Sequence, residues 1–515
     1  MNANKLLRLF HTIKYLKCRQ FNYRIFYILR KRLRSISGYR YTLSIPSTTS
    51  SLRLQSSLSS AVSCKGETFT FLNLSHSFDG AIDWNCPEHG KLWIYNLTYF
   101  DFLQQEGLSR EEGLLLIHDF MAHMASMKDA LEPFPVSLRS INWIKFLTCH
   151  NIKEQSIDDS LYAQYSILLD NLECHLLGNH LLENGFSLLF GSYYFQDERL
   201  YNKAKDILKS ELEEQILDDG AHFELSPMYH QIMLFRVLDC INLLQNNLWK
   251  QDALLIFLAE KAAKMLGWLQ TISYRDGTIP HFNDSTNGIA PTTGQLNDYA
   301  KSLNLSIKNS KLSACGYRKI VREGYECVID VGRIGPDYIP GHAHADTLNF
   351  ELRIAGKPFV VDAGLSTYEI GKRRDFERGT AAHNTVVVNG QNSSDVWGGF
   401  RVAERAGILA LEEGDDRIKA THNGYKKLGI SHTRTFEFYE NKILISDQLN
   451  KNVEAKAYLH FHPNVSEETI KKHILLEGGE FEIKTYEYAE GFNKQATAKC
   501  LEIDFQKILK IEITL

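Results

Sequence analysis

No two cysteines of this 515-residue chain stand in a CxxC spacing. The nine present, Cys18, Cys64, Cys86, Cys149, Cys174, Cys240, Cys315, Cys327 and Cys500, are odd in number and irregularly placed. Neither a disulfide framework nor a thiolate zinc site is implied. Nowhere does the chain approach the roughly 18 uninterrupted apolar residues that a membrane-spanning helix needs. It also lacks a dominant charge sign: 58 Lys and Arg against 62 Asp and Glu leave a net charge of -4. That excludes the global basic field of a nucleic-acid binder, and an acidic ligand would need a local groove.

The amino-terminal stretch lacks the apolar core of a secretory signal peptide. Met1 to Ser35 instead interleaves Leu, Phe, Ile and Tyr with Lys5, Arg8, Lys14, Lys17, Arg19, Arg24 and the cluster Arg30 to Arg34. On sequence grounds the expected compartment is the cytoplasm or the inner membrane surface. A basic amphipathic stretch of this kind either lies peripherally on an anionic membrane or packs on its own domain.

What is present is ordinary globular composition, 44% hydrophobic, 23% charged and 11% aromatic. The length suits two or three domains of about 150 residues. A Ser- and Thr-rich run from Ser47 to Ser63 reads as a linker. Beyond it, Leu161, Tyr165, Leu168, Leu169, Leu172 and Leu176 recur at helical spacing and stop at Gly178, which reads as a C-terminal glycine. Leu208, Leu212 and Ile216 repeat the pattern, as do Leu254, Leu258, Met265 and Trp268. After about Ser313 the period falls from 3.6 to 2, in Leu348 to Arg353, Phe359 to Val361, Thr385 to Val388 and Tyr458 to Phe461. Thr435 to Ile445 reads as a hairpin. No repeat is visible. The expected order is a basic segment and linker over 1–63, an all-helical domain over 64–312 and an antiparallel β-sandwich over 313–515.

Polar residues gather at a few points. Gly341-His342-Ala343-His344-Ala345-Asp346 sets three ionisable side chains at alternate positions, which share one face if the backbone is extended. Asp362 closes one strand and His383 precedes another, so two imidazoles and a carboxylate from neighbouring strands would suit zinc or another borderline divalent ion. In the helical half, Asn179-His180 follows Gly178, and Ser226-Pro227 opens a helix carrying Tyr229. Each has a plain structural alternative, such as a turn asparagine or a core tyrosine.

Taken in order, these islands resemble the heparinase II/III-type polysaccharide lyases. The resemblance rests on Pro133 to Arg139 with Asn142-Trp143, Asn179-His180, Glu224 to His230, Asp276-Gly277, Asn283-Asp284, Gly341 to Asp346, Val361 to Gly364, Arg374 through Thr385, Trp397 and Arg401. It runs from roughly residue 85 to residue 405. It implies an incomplete (α/α) toroid followed by an antiparallel β-sandwich, with the active site between them. It implies β-elimination on a uronate-containing acidic polysaccharide, leaving a 4,5-unsaturated sugar, and a periplasmic location in place of the compartment read from the sequence. Asn179 and His180 would hold the substrate carboxylate, and His342 or ionised Tyr229 would remove the C5 proton. Tyr229 would protonate the leaving oxygen, and His344, Asp362 and His383 would hold a structural metal, expected to be zinc. Arg139 and Trp143 are the substrate-groove candidates, by bidentate contact and sugar stacking. A uronate C5-epimerase using the same residues, or a non-catalytic glycan-binding protein of surface-polysaccharide assembly, are the competing readings.

Overall fold

The computed structural model describes residues 3–250 and 252–515. Helices fill the chain up to Ser302 and strands dominate from Tyr317 onward. Two helices, Ala3–Ile13 and Cys18–Ile36, come first, followed by an extended stretch and a small antiparallel sheet, Cys64–Lys65, Thr68–Phe71 and Leu74–Ser77. The toroid proper comprises Lys91–Tyr99, Arg110–His123, Pro133–Cys149, Gln155–Asp170, Gly178–Phe195, Glu198–Gln215, Pro227–Asn246, Leu254–Ile272 and Thr293–Ser302. Their starts are chemically marked. Ser109 and Glu112 form a capping box, and the Asp197 carboxylate accepts from the amides of Arg199 and Leu200. No helix among the described residues is long and apolar enough to cross a membrane.

Gly178 does not end a helix. The preceding helix stops at Asp170, and Gly178 opens the next with a left-handed φ of 60°. A side chain there would meet Ile339 Cδ1 at 3.0 Å and Glu224 Oε1 at 3.2 Å. Periodicity could not separate the two helices, because Leu172 and Leu177, in the connecting turn, are as buried as helix residues.

The second half is wholly antiparallel in its named sheets. Four strands, Tyr317–Val321, Tyr325–Asp330, Phe350–Ile354 and Lys357–Val360, form one sheet. A six-stranded sheet contains the hairpin His432–Phe438 with Lys442–Leu449, in register Phe436 opposite Ile445. A third sheet joins Val386–Val388 to Ala455–His460 and the long hairpin Glu480–Gly491 with Lys494–Phe505. Alternation buries one face, as in His432–Phe438, where every second side chain points inward. One apolar core, with Trp93, Trp143 and Trp268, fills the toroid, and a second, with Phe350, Phe436, Ile445 and Ile511, fills the sandwich. The cleft between them carries the polar residues.

Candidate active site

The segment Gly341 to Asp346 is a turn and loop, so its side chains do not share a strand face. His342 and His344 meet instead on one carboxylate. Asp284, on a loop of the helical half, accepts from His342 Nδ1 at 2.9 Å through Oδ2 and from His344 Nε2 at 2.8 Å through Oδ1. Arg374 clamps both oxygens from the sandwich side, at 2.5 and 2.7 Å. Burial opposes ionisation of Asp284, but the Arg374 guanidinium and the two imidazole hydrogen bonds overcome it and hold the carboxyl well below its usual range. An ionised carboxylate only accepts, so it draws the proton of His342 to Nδ1 and that of His344 to Nε2. The second nitrogen of His342, Nε2, lies 3.6 Å from Glu224 Oε2.

Tyr229 sits in the first turn of Pro227–Asn246, whose cap Ser226 accepts from the Tyr229 amide and also donates to the Asp284 carbonyl. Its ring stacks on that of His342, centroids 3.8 Å apart at 30°. Its hydroxyl bonds the Tyr368 hydroxyl at 3.0 Å. Burial raises the phenol's pKa well above its ordinary value, and the Tyr368 hydrogen bond offsets only part of this. At neutral pH Tyr229 therefore carries its proton.

Asn179 lies in the first turn of Gly178–Phe195, and its amide donates to Glu224 Oε1 at 3.4 Å. Asn179 thus joins His342 and Tyr229 through Glu224. His180 is turned the other way, with Nδ1 2.9 Å from Glu173 and its ring on Phe134. Burial works against its charged form, but Glu173 prevails and its pKa is raised. Leu177, Leu225 and Asn283 all have left-handed backbones beside Asn179, Ser226 and Asp284. Such conformations cost about 1 to 3 kcal/mol each for ordinary residues and persist only where the surroundings impose them.

Arg139 and Trp143 do not line the cleft. Both are 0% exposed. Arg139 donates to Gln164 and to the carbonyls of Thr98 and Ala130, and lies over the Phe120 ring. Burial without a carboxylate partner lowers its pKa to about 9. Trp143 packs edge-on against Phe100 and Phe120. Both lie on the helix Pro133–Cys149, in which every residue from Pro135 to Leu147 is buried. Conversely, Glu224, Asp284 and Arg374 lie within the motifs that carry the resemblance but have no role assigned to them there, and Tyr368 lies outside those motifs. A lone carboxylate in sequence carries no sign of the three cations and imidazoles that will converge on it.

Behind His344 lie Asp346, Asp362 and His383, all fully buried or nearly so. His383 Nδ1 bonds Asp362 Oδ2 at 2.7 Å, and the His344 and His383 rings are 5.3 Å apart between centroids. Burial lowers the pKa of His344 to about 4. His344 Nδ1, His383 Nε2 and Asp346 Oδ2 are buried without any hydrogen-bond partner. Orphaned buried donors and acceptors are rare, and two imidazole nitrogens among them fit a divalent ion. His344, Asp362 and His383 are not drawn together to within 4.8 Å, as His76, Glu88 and His89 are elsewhere. Holding an ion would require Asp362 to exchange its contact with His383 for one with the metal.

A helical toroid followed by an antiparallel sandwich is the architecture of the heparinase III-like lyase folds. The chain belongs to the heparinase II/III-like family: residues 138–307 match the heparinase II/III N-terminus and residues 308–501 the heparinase II/III-like C-terminal domain. It is 26% identical over 317 residues to a heparin-sulfate lyase of Bacteroides stercoris, covering 55% of this chain and 45% of that protein. A heparin-sulfate lyase of Pedobacter heparinus is 26% identical over 301 residues, 52% of this chain and 43% of the relative. The match therefore spans less than half the length of these relatives. Among solved structures, that of heparinase III superposes with a TM-score of 0.63 at 15% identity, covering 85% of this chain and 80% of the other. Heparan sulfate lyase from Pedobacter heparinus superposes with a TM-score of 0.54 at 16% identity, over 87% and 81%.

Proposed function

We propose that this protein is a lyase that cuts a uronate-containing acidic polysaccharide by β-elimination. The observation that carries this reading is the stack of His342 on Tyr229 over the shared Asp284. His342 Nε2, left unprotonated by the hold of Asp284 on Nδ1, takes the C5 proton of the uronate. The electrons of the C5–H bond form the C4–C5 double bond, the C4–O4 bond breaks, and Tyr229 gives its phenol proton to the departing oxygen. Asn179, whose backbone N–H donates to Glu224 Oε1, uses its side-chain amide to steady the negative charge that builds on the uronate carboxylate. Tyr229 acts as the acid in this scheme because burial keeps its proton in place. His344, Asp362 and His383 would hold a zinc ion, whose chemistry is to stiffen the loop bearing His342. The test is ultraviolet absorbance of the unsaturated product across a panel of acidic polysaccharides; no absorbance with any substrate that wild type binds would overturn the reading.

A second contact is supported by the amino-terminal helices. The helix Cys18–Ile36 docks through an unusual face: Gln20 is buried, the Tyr27 hydroxyl donates to the Leu172 carbonyl, and Arg30 and Arg34 pair with Asp170. At 100° per residue, Phe21, Ile25, Ile28, Leu29 and Ile36 fall on the opposite side, and all are exposed. The sequence has no Asp or Glu before Glu67. An outward apolar stripe on a cationic segment suits an anionic lipid surface. We propose that this face rests on one. Wild type should sediment with vesicles containing phosphatidylglycerol and not with phosphatidylcholine alone, and Ile25→Glu with Ile28→Glu should release it. Sedimentation unaffected by that pair, or a dimer abolished by it, would overturn the proposal.

A further inference from the structure

A second set of metal-type donors lies away from the cleft, where the small sheet meets the first toroid helix. His76 is on the strand Leu74–Ser77, and Cys86, Glu88 and His89 are on the turn leading into Lys91–Tyr99. His76, Glu88 and His89 each offer one ligand atom, and these atoms lie within 4.8 Å of one another. His76 Nδ1 is 3.1 Å from Glu88 Oε2, close to the roughly 3.4 Å edge of a tetrahedron built on zinc–nitrogen bonds of about 2.05 Å.

The surroundings favour an ion over a simple ion pair. Cys86 Sγ, itself buried, lies 3.9 Å from His76 Nε2. With His76 Nε2 donating to that sulfur, the Nδ1 lone pair would face Glu88, the outer-contact arrangement that orients metal-bound histidines. His89 Nε2 is buried and bonded to nothing. A His–Glu pair with an exposed carboxylate is a weak interaction and would leave that nitrogen unsatisfied. Both rings lean on Trp93, at 5.9 and 5.3 Å between centroids, so their positions are fixed by packing.

We propose that His76, Glu88 and His89 form a zinc-type site with a fourth, open position for water, separate from the His344, Asp362 and His383 group. Two imidazoles and a carboxylate are the donor set of a borderline divalent ion. The ion braces a strand to the turn that begins the toroid. The same hairpin reaches the sandwich, because Asn73 donates to the Phe492 carbonyl and Asn493 to the Leu72 carbonyl.

The test uses the full chain, stripped with a chelator, reloaded with zinc, dialysed and assayed for metal content. His89→Gln should lose one zinc per chain, and the loss should recur in a His383→Ala background, which removes the cleft candidate. Glu88→Gln alters an exposed side chain, so the fold is retained, and it should weaken zinc binding at least tenfold in a competition titration. Zinc should also raise the melting temperature of the stripped His383→Ala protein but not of its His89→Gln derivative. Equal zinc content and affinity in the His383→Ala protein with and without Glu88→Gln and His89→Gln would overturn the proposal.

Discussion

The rings of His342 and Tyr229 lie face to face, 3.8 Å between centroids, although 112 residues of sequence (342 less 229, less one) separate them. One arrives on a sandwich loop and the other on a helix start, and Asp284 with Ser226 ties the two arrivals together. In the proposed mechanism, proton removal and proton donation fall to different side chains of this one stack.

Removing the phenol oxygen alone should separate chemistry from folding. Tyr229→Phe is expected to lower turnover by at least about a hundredfold, since a positioned acid contributes typically 10²- to 10⁴-fold. Binding and melting temperature should stay near wild type. Elimination at a normal rate, followed by ultraviolet absorbance, would contradict the acid role.

Asp284→Ala should be costly in both respects. It leaves the buried Arg374 without its counter-charge, a loss of about 3 to 5 kcal/mol, and frees both histidines from their tautomers. Chemical denaturation and product absorbance are the two readouts, and a stable, active Asp284→Ala protein would refute the account of the site.

Arg139 offers the opposite outcome. Its guanidinium satisfies Gln164 and two backbone carbonyls deep in the toroid, so Arg139→Ala leaves acceptors unpaired at about 1 to 3 kcal/mol each. The melting temperature should fall while kcat/KM per folded molecule is unchanged. A selective rise in KM would return Arg139 to the substrate groove.

Acid stability can be read at Asp447, a buried carboxylate that accepts from His432 and, through both oxygens, from Arg434. Burial opposes its charge, but Arg434 and His432 win and its folded pKa lies far below the unfolded value near 3.9. A depressed carboxylate contributes stability that is present above the unfolded pKa and lost as pH falls toward the folded one. Asp447→Asn should therefore be markedly less stable than wild type at pH 7, with the gap closing below about pH 4. A gap independent of pH in urea unfolding would contradict this.

Sequence periodicity carried the architecture because helix and strand differ in their repeat, and the change near residue 313 falls in the connection between Ser302 and Tyr317. His342 and Tyr229 stand in locally distinctive segments, a histidine cluster and a Ser-Pro helix start, and their roles are implied by the family resemblance. Two kinds of information were not legible. Total burial of a helix, which hides Arg139 and Trp143, depends on neighbours distant in sequence. The partnership of Asp284 with Arg374 depends on a loop and the short helix Lys372–Glu377 meeting across the cleft, and neither segment has a spacing that announces the other.

The Asp284–Arg374 pair crosses the boundary between the two halves, and that has an evolutionary meaning. A sandwich borrowed from a relative can serve this toroid only if it brings a guanidinium to the same carboxylate, together with a pair of histidines that read its two oxygens. Any change at Asp284 in the helical half must therefore be answered at Arg374, His342 and His344 in the sandwich half.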